Sequence, residues 1–420
     1  MRIFPAFVLG VLLAAAACSS SSGSTPTSPG GTSSSNAPPG SKLQTVEFKM
    51  DATVGAGKEI FDCQFVTLPN IAGWMVSGEH TYTAGSHHLL VYTTDLTSVP
   101  AGGNQVQDCY EGSGSFMSHV RGVLYGGQTP TGSEQFPAGV GVQTTANQVL
   151  LFQVHYLNAT SADLAAKVDV KLTLDSGTDI VNNAGILFLY DPFIDVPPGA
   201  KAQAQMRVNI PRDVTLLSAT SHYHARGVGY AAYLDTPTKM ATSPFYTSAS
   251  WNSPEIVSMS MPIAAGTKLR FECDYDNSSG TAEYFQGQSA QTNEMCMFIG
   301  AYYPDMGELA NYGEASPGPD MFGTAGASGT NCNDTLKCIE ACPAAASSGS
   351  SAGLVDASPC MQKCMVGSCT TATTPLLPFL ECYQNSCTSK CSSTTSSDCM
   401  TCIATSCASQ YEACSTHTCN

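Results

Sequence analysis

Between residues 46 and 304 the chain alternates apolar and polar side chains in short runs that Gly, Pro, Asn and Asp interrupt. A period of two puts one face of a strand into a core and the other outward. Segments 151–157, 167–174, 185–190, 202–210, 268–273 and 295–303 read as strands on this basis. No long window holds a 3.6-residue period. Many short strands separated by turns predict an all-β fold of antiparallel sandwiches or jelly rolls. A span of about 260 residues suits two such units in tandem. The pattern breaks at Asp-Ser-Gly-Thr-Asp and Asn-Asn within 175–183, so the units are assigned to residues 42–178 and 179–306.

The flanks follow other rules. Met1-Arg2 precedes an apolar run to Leu13 and then Ala14-Ala15-Ala16-Ala17-Cys18. The run is shorter than the roughly 20 residues a spanning helix needs and ends in small residues, so residues 1–17 read as a secretory signal. The small residues before Cys18 resemble a bacterial lipoprotein signal, which implies lipidation of Cys18. Ordinary cleavage would leave Cys18 a spare thiol. Residues 18–41, mostly Ser, Gly, Thr and Pro, bury too little to fold and read as a tether. Nothing after the signal is apolar enough to span a bilayer. The expected location is a bacterial outer-membrane lipoprotein, periplasmic or cell-surface, touching membrane only through its lipid.

Charge narrows the partners. With 33 acidic against 17 basic residues the net charge is -16, and the cations are scattered singly, which excludes nucleic acid. Of 19 cysteines, 14 lie between Cys332 and Cys419, a density that belongs to an oxidising compartment. Residues 307–330 read as a Gly/Pro/Ser-rich linker and 331–420 as a small disulfide-rich helical module. The pairs Cys338/Cys342, Cys360/Cys364 and Cys387/Cys391 are each four apart, a spacing that shares one helix face, so short helices stapled by facing disulfides are expected. Cys399-Met400-Thr401-Cys402 has zinc spacing, but export favours disulfides. Seven disulfides account for all 14, with connectivity open. The module carries no catalytic constellation and reads as a stability, spacing or attachment unit with a surface or matrix partner.

Five of the eight histidines fall in three clusters: Ser86-His87-His88, Gln153-Val154-His155-Tyr156-Leu157-Asn158 and Ser221-His222-Tyr223-His224. His222 and His224 share one strand face and can chelate one metal. His87 and His88 would diverge on a flat strand, so joint ligation requires a strand end or a bulge. A single strand histidine is usually a hydrogen-bonded structural residue, the reading given to His80, His119 and His417. Five imidazoles at motif spacings serve no packing purpose, and on imidazoles alone zinc is also open. Met295, in Thr292-Asn293-Glu294-Met295-Cys296, would by itself be core filler.

Taken together, His-His, then Gln-Val-His-Tyr-x-Asn, then His-x-His, then Glu-Met-Cys resembles the copper type II, ascorbate-dependent monooxygenases, the family of peptidylglycine α-hydroxylating monooxygenase and dopamine β-hydroxylase. The resemblance covers about residues 46–304. It implies two tandem jelly rolls. His87, His88 and His155 match the ligands of an electron-supplying copper, and His222, His224 and Met295 those of the catalytic, oxygen-binding copper. It also implies disulfides Cys63–Cys109 and Cys273–Cys296, and Phe136-Pro137-Ala138-Gly139-Val140-Gly141 matches the loop after the first sheet. Gln153, on the strand face of His155, is expected to orient that site.

The implied activity is hydroxylation of a C–H bond of a small molecule with O2, two copper ions and ascorbate or a similar reductant. Thioether sulfur at the second site favours Cu(I). Peptide-hydroxylating members place Arg two residues before His-x-His and Asn and Tyr after Glu-Met-Cys. Here Thr220, Met297 and Ile299 stand at those places, which points away from a glycine-extended peptide and toward an uncharged or aromatic substrate. Two other classes stay open: a copper-binding or copper-sequestering lipoprotein without catalysis, and an adhesion module whose histidines hold zinc.

Overall fold

The computed structural model describes residues 42–110, 116–236, 238–307, 329–342, 358–369, 371–387, 390–391 and 396–419. The signal, Cys18 with its lipidation, the tether and nearly all of the proposed linker lie outside the described residues. The chain is mostly β, with a disulfide-rich helical region at the C-terminal end.

Two sheets face each other in the first part. One runs Leu43–Val54, Leu164–Asp175, Gly73–Tyr82, Val140–Thr144, Asn182–Asn183, with Thr131–Gln135 also on Gly73–Tyr82. The other runs Gln107–Asp108, Glu59–Thr67, Val149–Leu157, Ser86–Thr94, Val120–Gly127. Met50, Met75, Val91, Phe152, Val154, Val170 and Leu172 fill the space between them. In the second part, Gly185–Tyr190, Cys296–Tyr303, Val214–Tyr223 and Val257–Ile263 form a sheet. It packs on Lys201–Asn209, Lys268–Asp276, Gly227–Asp235 and Tyr246–Ser248 through Leu187, Met206, Leu216, Phe271 and Phe298.

The sheet that holds Val214–Tyr223 meets the first sandwich. Ile186, Leu217 and Ala301 leave their own sandwich and join the core of the first. Val149–Leu157 and Val214–Tyr223 are buried on both faces, nearly every residue along each being inaccessible. These strands carry His155 and His222. On an ordinary half-exposed strand every second position would meet water; here the outward positions of Val214–Tyr223 meet the first sandwich, and those of Val149–Leu157 lie under Cys63, Phe65, Cys109 and Met117 of their own part.

Nine disulfides are formed among the described residues, which fits an oxidising environment. Cys63–Cys109 and Cys273–Cys296 tie neighbouring segments within each sandwich. The helical region holds α1 (Cys332–Ala341), α2 (Pro359–Val366), α3 (Thr373–Ser386), α4 (Ser397–Ser406) and α5 (Ala408–Ser415). Cys338–Cys364 and Cys342–Cys360 staple α1 to α2, and Cys382–Cys407, Cys387–Cys402 and Cys391–Cys399 are nested within one another. Cys387 and Cys391 do not share a helix as expected: α3 ends at Ser386, Cys387 is its C-cap, and Cys391 lies beyond it. Nor does the region stand apart. Its buried residues Leu336, Met361, Met365 and Phe379 belong to the same continuous core as the second sandwich. Among the described residues no helix is long and apolar enough to cross a membrane.

Candidate metal centre

His88 and His155 are cross-strand partners between Ser86–Thr94 and Val149–Leu157, so their side chains leave the sheet on one face. The register slips between Ser86 and His88, and this irregularity brings the adjacent His87 to the same side. Opposite them, His222 pairs with Met297 and Tyr223 with Cys296. Continuing that register sets Met295 beside His224. Met295 is buried with Tyr190 and Met297, while Tyr275 donates its hydroxyl to the Met295 carbonyl at 2.7 Å.

Where the sandwiches meet, the five imidazoles converge. Ring centroids lie 5.0 Å apart for His87 and His155, 5.0 Å for His88 and His155, and 5.3 Å for His222 and His224. His87 bridges the groups, 4.6 Å from His222 and 5.2 Å from His224. Two triads have donor atoms within 4.8 Å of one another: His87, His88, His155 and His87, His222, His224. The arrangement thus differs from two separate ligand sets, because His87 belongs to both triads.

Hydrogen bonding fixes which nitrogen carries the proton in three of the five rings. His155 Nε2 faces Glu59 Oε1 at 2.8 Å. His224 Nδ1 faces the Asn293 carbonyl at 3.1 Å. His222 Nδ1 lies 2.6 Å from Gln128 Oε1, and the Gln128 amide nitrogen donates to the Ser221 carbonyl at 2.8 Å, which sets the amide's orientation. Each partner only accepts, so the bonded nitrogen must be N–H and the other bears the lone pair. Those other nitrogens, His155 Nδ1, His222 Nε2 and His224 Nε2, are buried with no partner, as are His88 Nδ1 and both ring nitrogens of His87. Buried polar atoms in proteins are nearly always satisfied. Five neighbouring imidazoles, each with an orphaned nitrogen, are a donor set suited to a metal ion.

The electrostatics agree with neutral ligands. Burial, then repulsion from the neighbouring rings, holds His87, His155 and His222 well below the ordinary imidazole range. His88 is pushed down to about 4 by burial, with a side-chain hydrogen bond to Gln153 opposing. Burial brings His224 to about 3. Gln153 accepts from the Tyr92 hydroxyl at 3.0 Å, and its amide nitrogen reaches Cys109 Sγ and Met117 Sδ. Phe61 stacks on His155 with centroids 4.0 Å apart.

Three polar groups identified only in the folded chain, Glu59, Gln128 and Glu134, cross the junction. Glu59, besides holding His155, accepts from Ser289 Oγ at 2.6 Å and Ala290 N at 2.8 Å. Gln128 crosses in the same way, and Ser218 donates to Glu134 at 2.8 Å. Glu294 accepts from the backbone of His224 and Arg226 and from the Arg226 guanidinium. Burial pushes its carboxyl up to about 7 against the opposing pull of Arg226. No sequence motif marks Glu59 or Gln128, whereas Glu294 sits inside Glu-Met-Cys. The remaining histidines are hydrogen-bonded elsewhere: His80 to Tyr125 and the Thr129 carbonyl, His119 to Asp95, and His417 to Cys332 N and Thr371.

No family model matches the chain, and no curated protein matches it. Solved structures share only a distant likeness. The major capsid protein P2 from bacteriophage PM2 is 8% identical with a TM-score of 0.24, covering 62% of this chain and 97% of that one. PNGF-II is 10% identical with a TM-score of 0.26, covering 62% and 64%. PBCV-1 VP54, fitted into the virophage Sputnik, is 7% identical with a TM-score of 0.23, covering 62% and 94%. Likeness at that level says nothing about the chemistry of this chain.

Proposed function

We propose that the chain is a copper-dependent monooxygenase that hydroxylates a C–H bond of a small organic substrate with O2 and an ascorbate-like reductant. The reading takes the two sandwiches as tandem jelly rolls of the copper type II monooxygenase kind, exported and held to the outer membrane through Cys18. One observation carries it: five imidazoles from both sandwiches converge, each with a buried nitrogen that has no partner. His87, His88 and His155 would hold one copper, and His222, His224 and Met295 the other. When bound, the two coppers would supply one electron each and the capacity to activate O2. Overall, substrate C–H, O2 and the two electrons and two protons of ascorbate give the alcohol, water and dehydroascorbate.

The chain's own residues set the conditions. Glu59, Gln128 and the Asn293 carbonyl each keep a proton on the far nitrogen, so the near nitrogen is a ready lone pair. Burial keeps every ring neutral, so no proton competes with a metal at neutral pH. Thr220, Met297, Ile299 and Phe188 lie on the same sheet face as His222 and provide an apolar wall. Arg226 is engaged by Glu294 and by the Ala290 and Asn293 carbonyls, so it does not offer a charge to a substrate carboxylate. An uncharged or aromatic substrate fits that wall better than a peptide terminus.

Copper sequestration without catalysis is the second reading, and the sharing of His87 between both triads favours it, since one compact cluster would suffice for storage. Metal analysis and oxygen consumption separate the two. Two coppers per chain with ascorbate-stimulated O2 uptake and a hydroxylated product support the enzyme. Two coppers without uptake support sequestration, and one zinc or no metal removes both.

A further inference from the structure

The disulfide-rich helical region contributes none of the five clustered histidines, yet one of its side chains is built into the second sandwich. Gln362, on α2, is almost wholly buried. Its Oε1 accepts from Ile194 N at 3.1 Å and Gln286 N at 2.8 Å, and its Nε2 donates to the Gln286 carbonyl at 3.3 Å. A single amide therefore pairs with both backbone groups of Gln286, much as a strand neighbour would.

Helix geometry explains how α2 reaches there. At 100° per residue, Cys360 and Cys364 lie on one side of the helix and Gln362 on the other, about 200° round from Cys360. The cysteine side is stapled to α1 through Cys342 and Cys338. The Gln362 side is left for the sandwich, flanked by buried Met361 and Met365, while Lys363 pairs with Glu283 at 2.8 Å. Ser358 caps the helix, and Pro359 opens it at a position where a missing N–H does no harm.

Gln286 in turn leads to the candidate metal centre. It forms a bridge with Glu294, whose N–H donates to the Phe285 carbonyl and whose carbonyl accepts from Gly287 N. The Glu294 carboxylate holds His224 N and Arg226, and Met295 is the next residue. From Gln362 to the segment that presents Met295 there is thus an unbroken run of hydrogen bonds.

We infer that the disulfide-rich region is an internal brace for the second metal site, with Gln362 a positioning residue that fixes Gln286 and, through it, Glu294, His224 and Met295. The consequence for metal rests on the copper reading above; the brace itself does not. Full-length protein with Gln362→Leu is compared with wild type and with Gln362→Glu, which keeps the accepting oxygen for both N–H groups. In metal-free hydrogen exchange, amides 286–295 should exchange about tenfold faster or more in the Leu variant, since hydrogen bonds are lost there. They should remain near wild type in the Glu variant, with amides 150–156 unchanged in both. In copper(I)-loaded protein, X-ray absorption should lose its sulfur scattering shell in the Leu variant and keep it in the Glu variant.

Unchanged exchange over 286–295 in Gln362→Leu overturns the brace, and so does equal acceleration throughout the first sandwich. Should the Leu variant not fold, Gln362→Asn, one methylene shorter, must show faster exchange at the same amides, and wild-type rates there overturn the inference. If exchange responds as stated but the wild-type chain takes up no copper, the brace stands and the copper reading falls.

Discussion

Replacing Glu59 with Ala removes the acceptor that joins the first sandwich to the loop of the second. Its carboxylate takes three hydrogen bonds, from His155 Nε2, Ser289 Oγ and Ala290 N. His155 and Ala290 are both fully buried, so two of the three donors would be left with no partner. The Ser289 hydroxyl can rotate toward water. A buried donor stranded in this way costs about 1–3 kcal/mol. Taking the lower half of that range for each of two donors gives roughly 3 kcal/mol, or about a hundredfold in the population that opens at this junction. Glu59→Gln keeps an acceptor oxygen and loses mainly charge assistance, which is about 1 kcal/mol or a few-fold. Amide exchange at Ala290 in the metal-free protein reads this directly. The Ala variant should exchange there about two orders of magnitude faster than wild type, the Gln variant less than tenfold faster, and Phe152 in the first core should not respond. An unchanged Ala290 rate in Glu59→Ala would refute the claim that this carboxylate holds the sandwiches together.

Further expectations follow from the same contacts. Met295→Ile should abolish ascorbate-dependent hydroxylation while costing less than about 1.5 kcal/mol of stability, because the swap stays apolar and similar in volume; retained turnover would count against a sulfur-bearing site. Gln128→Leu frees the His222 tautomer and should weaken copper at the second site about 10–100-fold with the first site little changed, measured by site-resolved copper titration under paramagnetic resonance. Asp195 is pushed up to about 6, by burial first and the neighbouring Glu283 second, with Lys363 opposing. Because the folded state holds this proton more tightly than the unfolded chain, stability falls as pH rises from about 4 to 6 and stays lower above. Asp195→Asn should therefore raise the melting temperature at pH 7 and do little at pH 4, and an equal shift at both values would show that ionisation of Asp195 is not the cause.

The strands at 151–157, 185–190 and 202–210 were legible because alternation survives wherever one face meets a core, and the observed elements Val149–Leu157, Gly185–Tyr190 and Lys201–Asn209 differ from them by two residues or fewer. The histidine clusters were legible as chemistry because polar rings on apolar strands have no packing reason to be there. Their convergence was not, since His87 and His222 come together only when two outward sheet faces meet. Glu59, Gln128 and Gln362 left no trace in the sequence for a similar reason. Their partners lie 96 and 231, 94, and 76 and 168 residues away, and a lone Glu or Gln has no periodicity to betray it. The helical region was legible as a set of cysteine spacings, but its attachment was not, because the docking face of α2 is a few residues between the cysteines.

The nested disulfides carry a consequence for the order of oxidation. Cys391–Cys399 closes 8 residues, Cys387–Cys402 closes 15 and Cys382–Cys407 closes 25, each inside the next. Once the innermost bond exists, the path between Cys387 and Cys402 shortens to about seven residues plus the bond, which lowers the entropy of closing it by about 0.7 kcal/mol. The third bond gains in the same way from the second. Oxidation of this stretch should run from the inside outward, like a zip, and trapping of partly oxidised chains would find Cys391–Cys399 first. Cys369–Cys419 and Cys332–Cys414 depart from this logic, since they cross one another: Cys382–Cys407 lies inside both spans and shortens both paths, so nesting sets no order between the two. The crossing pair is therefore where a mispaired chain would most readily stall.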